Sequence, residues 1–162
     1  MKANDEIYAD ISRFQEHLGL KPGADIQMLL LKAHLLIEEL LQSMIESLVR
    51  CPDELSDARF TFQHSLCLAK ALRDPSILPE LVWVWDGVRH LNSVRNLMAH
   101  KINPKGFEEK LEVLMSMVEG NLPLRIKAGT GEEHQLAKLG LILSLLGSYL
   151  SKLVRANTNT LK

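Results

Sequence analysis

The sequence predicts an all-α protein, and three observations favour that class. Only four Phe, two Trp and two Tyr occur among 162 residues, and β-branched residues form no alternating runs, so little supports strands. Apolar residues recur instead at steps of three and four, which is the spacing of one helix face. Proline and glycine divide these segments into about five to six helices. A chain of this length makes one domain.

The first two predicted helices have clear ends. Residues 3–18 carry apolar side chains at helical spacing, and Gly19 ends this first helix. Asp25 is a good N-cap for a long second helix to about residue 50, because its short carboxylate can accept a hydrogen bond from the first turn. Pro52 follows and stops the helix.

The third and fourth helices are bounded by prolines. The third is expected from residue 56 or 57 to residue 73, before Pro75. The fourth is expected from about residue 78 to residue 102, before Pro104. Both helices therefore end just before a proline, because proline disfavours helical backbone at the residue that precedes it.

The last third of the chain predicts two further helices. Residues 108–119 form the fifth, which Gly120 ends, and residues 122–131 read as a loop. The last helix runs over residues 132–155, and residues 157–162 are expected to fray.

The charge balance excludes a general nucleic-acid coat protein. Lys and Arg number 19 against 20 Asp and Glu, so the net charge is -1 and the pI about 6.6. No broad positive field follows, and a nucleic-acid site must be local. Cys51 and Cys67 form no CxxC pair, the histidines are scattered and no glycine-rich phosphate loop is present. We therefore expect neither a metal site nor a cofactor.

A cytoplasmic location without a membrane segment is the expectation for this sequence. The N-terminal residues are charged and polar, where a secretory signal needs an apolar run. The most apolar stretch, residues 139–150, is shorter than the ~20 residues that cross a bilayer. We interpret it as a buried helix.

A polar strip on the predicted fourth helix is the most informative feature. At ~100° per residue, several polar side chains share one face about 100° wide, and they supply donors, acceptors and one imidazole. An ordinary solvated helix face is the alternative interpretation. The strip comprises Arg89, Asn92, Ser93, Asn96 and His100.

Arg95 lies apart from this strip, inside the apolar stripe of the same helix. An arginine there needs an anionic partner or a cleft. One interpretation is a buried ion pair with Glu38 or Glu39 of the second helix, which would hold the site together. The other is that Arg95 and His100 flank a phosphate, because guanidinium binds phosphate oxygens bidentately and imidazole transfers protons near neutral pH. The two interpretations are compatible.

The segment Arg95-Asn96-Leu97-Met98-Ala99-His100 resembles the R-x(4–6)-H motif of the HEPN superfamily, in which a polar residue commonly follows the arginine, as Asn96 does. Residues 32–34, 37–41, 57–62 and 91–92 resemble the helical core of small bacterial HEPN proteins. The resemblance covers roughly residues 25–120. Residues 121–162, a C-terminal loop and helix, lie outside it.

The resemblance implies an antiparallel helical bundle that dimerises, so that two copies of the motif meet in a cleft. It implies a metal-independent endoribonuclease of the toxin, defence or stress type, in which Arg95 and His100 are catalytic and Asn96 assists. The partners implied are a second copy of the chain, RNA, and an antitoxin or regulatory protein. We assign supporting roles to Glu38, Glu39, Asn92 and Arg89.

A second apolar group on the second helix, Met28, Leu31 and Leu35, lies about 180° from its main stripe, so both sides of this helix are expected to contact protein. This group and the polar strip are the two surfaces available for dimerisation. The alternative function is a noncatalytic HEPN-like module that binds a protein, nucleotide or RNA partner, with Arg95 locked to a glutamate.

Overall fold

The computed structural model describes residues 2–21, 23–100, 105–122 and 131–159, with the backbone alone for residues 2–5, 100 and 132. Over these ranges the all-α class is confirmed, since they contain six α-helices and no strand. The helices are α1 (Lys2–Leu18), α2 (Ile26–Leu48), α3 (Phe62–Leu72), α4 (Trp83–His100), α5 (Phe107–Gly120) and α6 (Glu132–Asn159).

The predicted ends of α1, α2 and α5 hold to within two residues. Gly19 ends α1 in the left-handed region at φ 64°, where glycine carries no steric penalty. The Asp25 side chain caps α2 by accepting the Gln27 N–H at 2.9 Å. This helix ends at Leu48 because Val49 is extended, at φ -83° and ψ 150°.

The predicted start of the third helix is wrong by about five residues. A short 3₁₀ turn at Pro52–Leu55 precedes the predicted start, and residues 56–61 form a turn and an irregular segment where the first helical turn was expected. The helix begins only at Phe62, after a reciprocal cap: the Thr61 hydroxyl accepts the His64 N–H at 3.3 Å, and the His64 Nδ1 accepts the Thr61 N–H at 3.4 Å.

The predicted start of the fourth helix is wrong for a similar reason. Leu78 has left-handed backbone, with φ 49°, and cannot begin a helix. A second 3₁₀ turn, Pro79–Leu81, follows, and α4 starts at Trp83. The predicted end at residue 102, before Pro104, lies outside the described residues.

The prediction that the chain frays from residue 157 is wrong as far as Asn159. Asn157 is buried, its Nδ2 donates to the Leu153 carbonyl at 2.9 Å, and its Oδ1 accepts the Asp74 N–H at 2.8 Å. The end of α6 is thus fastened to the connection between α3 and α4. Residues 160–162, and residues 123–130 of the predicted loop, lie outside the described part of the chain.

The core lies where α6 packs along α1 and α2, while α4 packs against α2, α3 and α5. By length and composition Glu133–Asn159 could span a membrane, but 67% of its most apolar window is buried inside the bundle. The interpretation of residues 139–150 as a buried helix is therefore confirmed. Fully or almost fully buried side chains include Leu30, Ile37, Leu41, Trp85, Leu91, Leu139, Ile142, Leu146 and Leu150.

The second apolar group of α2 is exposed in this chain. Met28 is 51% and Leu35 50% exposed, and Leu31 is half-buried. The described part of the chain therefore does not cover this face, and its contact with protein stays a prediction about a second molecule.

Candidate functional site

The polar strip of α4 lines a shallow groove of about 390 Å³, called here the α4 groove. Four of the five strip residues lie together in it, as predicted. Helix α4 also reaches the fifth, His100, whose side chain lies outside the described residues. The lining comprises Gln63 of α3, Lys110 of α5, and Arg89, Asn92, Ser93, Asn96 and Leu97 of α4.

Asn92 connects the α4 groove to the interior. It is only 9% exposed, and its Oδ1 lies 3.2 Å from the Nε2 of His34 on α2. An amide oxygen can only accept, so His34 carries its proton on Nε2 and donates it to Asn92. The imidazole is 3% exposed and stacks on the Phe62 ring with centroids 4.1 Å apart. Asn92 is thus anchored in the core, whereas Arg89 and Asn96 of the same strip are exposed.

Burial lowers the pKa of His34 below its usual 6.5, because desolvation disfavours the charged imidazole. The hydrogen bond to Asn92 and the nearby Glu38 carboxylate oppose this effect, while the Arg95 charge adds to it. The His34 Nδ1 is buried and has no hydrogen-bond partner among the described residues, since the Glu38 Oε2 lies 4.0 Å away. The imidazole is therefore neutral at neutral pH.

No role is predicted for His34 from the sequence. The available signal was its place in the main apolar stripe of α2. His34 lies four residues after Leu30, three before Ile37 and seven before Leu41, and all three of these residues are buried. A polar side chain in a buried stripe needs a partner, which is the argument that singled out Arg95. Applied to α2, it identifies His34 as well.

The predicted ion pair of Arg95 is wrong for both glutamates. The Arg95 Nη1 donates to the Asn96 Oδ1 at 3.2 Å, and among the described residues no carboxylate oxygen lies within 4.0 Å of its guanidinium. The reason is that the apolar stripe of α4 opens towards its C-terminal end: Leu91 is fully buried, whereas Met98 is half-buried and Ala99 exposed. Arg95, between them, is half-buried and keeps access to water.

Glu38 and Glu39 face different parts of the molecule. Glu38 faces the site, with its carboxylate beside the His34 ring. Glu39 is exposed and lines a different cavity with Arg13 and His17 of α1, so it takes no part in the site. Adjacent helix residues diverge by ~100°, and only one of the pair can face α4.

The cations around the α4 groove differ in how far they are neutralised. Arg89 is 53% exposed and pairs with Asp86 at 2.9 Å. The Lys110 Nζ donates to the Ser93 hydroxyl at 2.8 Å. Within the described ranges, neither Lys110 nor Arg95 has a carboxylate within 4.0 Å, so both keep a charge available to an anion.

Metal ligands do not converge in the part of the chain that is described: no three His, Cys, Asp or Glu side chains there are grouped to hold an ion. The groove chemistry is instead that of hydrogen-bond donors beside two cations, which suits a phosphate or another oxyanion. No family model, curated protein or solved structure matches this chain.

Proposed function

We propose that this protein is a metal-independent endoribonuclease of the HEPN type, with Arg95, Asn96 and His100 as its catalytic residues. The observation that carries the proposal is the state of Arg95: a half-buried arginine beside a polar groove, held by Asn96 and without an acidic partner among the described residues. The guanidinium reaches water at the open end of the stripe, so a ligand can approach it. Arg95 therefore keeps its charge for a ligand.

The proposed reaction is transfer of the RNA phosphate to the neighbouring 2′-hydroxyl. His100 removes the 2′-hydroxyl proton or protonates the leaving 5′-oxygen, and Arg95 stabilises the charge that develops on the phosphate oxygens. Asn96 orients the guanidinium through the bond between its Oδ1 and the Arg95 Nη1. The products are a 2′,3′-cyclic phosphate and a 5′-hydroxyl. The role of His100 rests on its position, five residues after Arg95 on α4.

We assign the exposed apolar face of α2 to a second copy of the chain. Met28 and Leu35 are half exposed, and a pair of such faces would bury apolar surface that water otherwise contacts. A homodimer would bring two motifs into one assembly, as the HEPN-type reaction requires.

Cleavage of a labelled mixed-sequence RNA in EDTA tests the reaction. Arg95→Ala and His100→Ala are expected to lower the rate at least about a hundredfold, because each removes a group that acts on the transition state. The matched controls are Arg50→Ala and His134→Ala, at exposed positions away from α4. Equal helicity of all variants is checked by circular dichroism.

Product ends separate this mechanism from others. RNA ends with a 2′,3′-cyclic phosphate support it, and 3′-hydroxyl ends contradict it. If the wild type cuts none of a broad range of RNAs, the noncatalytic interaction module becomes the better explanation.

Sedimentation tests the dimer. Leu35→Glu is expected to give a folded monomer with little cleavage, whereas Tyr8→Glu, at a 64% exposed position on α1, should stay dimeric and active. A wild-type monomer at micromolar concentration contradicts a site shared by two protomers.

A further inference from the structure

The α4 groove contains two asparagines whose amide oxygens are both occupied by donors from the protein. The Asn92 Oδ1 accepts from the His34 Nε2, and the Asn96 Oδ1 accepts from the Arg95 Nη1. Neither Nδ2 amide group has a hydrogen-bond partner among the described residues, so both are left for the groove. These two residues are one turn apart on α4, a rise of about 6 Å, so both amides serve the same wall.

Lys110 of α5 and Ser93 of α4 add further donors. The Lys110 Nζ uses one of its three N–H bonds on the Ser93 hydroxyl, at 2.8 Å, and keeps two. Ser93 accepts in that bond, so its own O–H is left to donate. Gln63 offers both kinds of group, because one N–H of its Nε2 donates to the Cys67 Sγ, which leaves a second N–H as a donor and the amide oxygen as an acceptor. No carboxylate belongs to the groove lining among the described residues.

We propose that the α4 groove binds the phosphate backbone of RNA through Asn92, Ser93, Asn96 and Lys110, and that His34 is a positioning residue that keeps the Asn92 amide turned with its donors outward. This inference rests on the proposed function and extends it, because it assigns the contacts that hold the strand beside Arg95. A lining that is rich in donors, with a lysine and without a carboxylate among the described residues, attracts an anion.

His34 controls the orientation of Asn92 through its tautomer. A half-turn of the amide would place its Oδ1 in the groove, where it would repel a phosphate. The neutral imidazole with its proton on Nε2 disfavours that half-turn, because the amide N–H groups would then face another N–H donor. Burial against Phe62 holds the ring in place for this role.

Binding of an uncleavable strand tests the groove separately from catalysis. The probe is a fluorescein-labelled, fully 2′-O-methylated mixed-sequence oligonucleotide, and the readout is anisotropy with the full chain. Asn92→Asp keeps an acceptor for His34 but replaces the outward donors with a negative oxygen, and it is expected to weaken binding about 10- to 100-fold. Asn159→Asp makes the same charge change at the exposed end of α6 and should leave binding unchanged.

The salt dependence reports the lysine contact. Lys110→Gln is expected to reduce the slope of log affinity against log salt by about 0.7, the value for one phosphate contact on a single strand. Lys21→Gln, at an exposed position remote from α4, should leave the slope as it is. A methylphosphonate strand, which lacks the backbone charge, should not bind, and equal binding of that strand overturns the proposal. So does Asn92-dependent binding of inorganic phosphate without binding of the strand.

The role of His34 has its own test. His34→Met removes the donor at similar volume and should weaken binding about 3- to 10-fold, whereas His34→Gln supplies an amide N–H in place of Nε2 and should restore most of it. Nitrogen NMR of the wild-type imidazole should show the proton on Nε2. If His34→Met lowers stability but the folded protein binds with wild-type affinity, the positioning role is wrong.

The two proposals fail in distinguishable ways. RNA cleavage by the wild type together with unchanged strand binding by all groove variants overturns the groove and leaves the ribonuclease. Strand binding that depends on Asn92 and Lys110, without cleavage of any RNA, supports the groove and overturns the ribonuclease.

Discussion

Replacement of His34 should remove a pH dependence from the stability of this protein. The folded state holds the pKa of His34 below its usual value of 6.5, chiefly through burial, while the unfolded chain leaves the imidazole near that value. Below about pH 6.5 the unfolded state therefore binds a proton that the folded state does not. The free energy of unfolding rises with pH wherever the unfolded state binds more protons. As far as His34 affects it, the free energy of unfolding is therefore highest above pH 6.5 and falls as the solution is acidified below pH 6.5.

The size of the effect is bounded by the single proton. One extra proton on the unfolded state lowers the free energy of unfolding by at most about 1.4 kcal/mol for each pH unit. Between pH 7.5 and pH 5.5 the loss is therefore at most about 1.4 kcal/mol, since the unfolded imidazole binds on average about half a proton over these two units. That loss is measurable against the roughly 5–15 kcal/mol typical of a domain.

Urea unfolding followed by circular dichroism at fixed protein concentration, between pH 7.5 and pH 5.5, measures this slope. His34→Gln should give a flatter profile than the wild type, because glutamine does not titrate. His134→Gln, at an exposed position on α6, is the matched control and should follow the wild type. Parallel profiles for the wild type and His34→Gln would refute the assignment of a buried neutral imidazole.

Two further predictions concern packing at α6. Gly147→Ala places a methyl group against the Phe14 ring and should lower the free energy of unfolding by about 1–3 kcal/mol. In Gly120→Ala the added methyl group meets no atom of the described residues within 4 Å beyond its own chain neighbours and helix backbone, so this control should be neutral or stabilising. Equal unfolding temperatures of the two variants would contradict this prediction. Asn157→Ala should cost about 1–3 kcal/mol in urea unfolding because the Asp74 N–H loses its acceptor, and an unchanged midpoint would mean that the end of α6 is not fastened.

Helix existence follows from the sequence, but two starts do not. Gly19 and Asp25 act through their own backbone or side chain, so α1 and α2 are predictable from local chemistry. The predicted start of α3 falls in the irregular segment between the 3₁₀ turn at Pro52–Leu55 and the Thr61 cap. Pro79 begins the other 3₁₀ turn, and a proline at a first helical position is equally compatible with a 3₁₀ turn and an α-helix. Which of the two forms depends on the packing of the segment that follows.

The site is predictable as a face and not as a set of partners. Helical spacing placed Arg89, Asn92, Ser93 and Asn96 together, and the groove contains all four. The same spacing could not show that the stripe of α4 opens towards solvent at Arg95, because that depends on where neighbouring helices end. For the same reason it could not foresee Gln63, which α3 brings to the groove from 29 positions before Asn92.

The order in which the helices are made has a consequence for how the fold is completed. An ion pair between Asp10 and Arg155 joins α1 to α6 across 145 positions of the chain. Contacts between such distant residues form late in folding, because the chain must first lose the entropy of closing a long loop. The ribosome releases α1 and α2 before α6, so the apolar faces that pack against α6 stay exposed while the middle of the chain is synthesised. We therefore expect chains truncated before α6 to aggregate. We also expect the fold to tolerate a second domain fused to either end of the bundle better than one inserted within it.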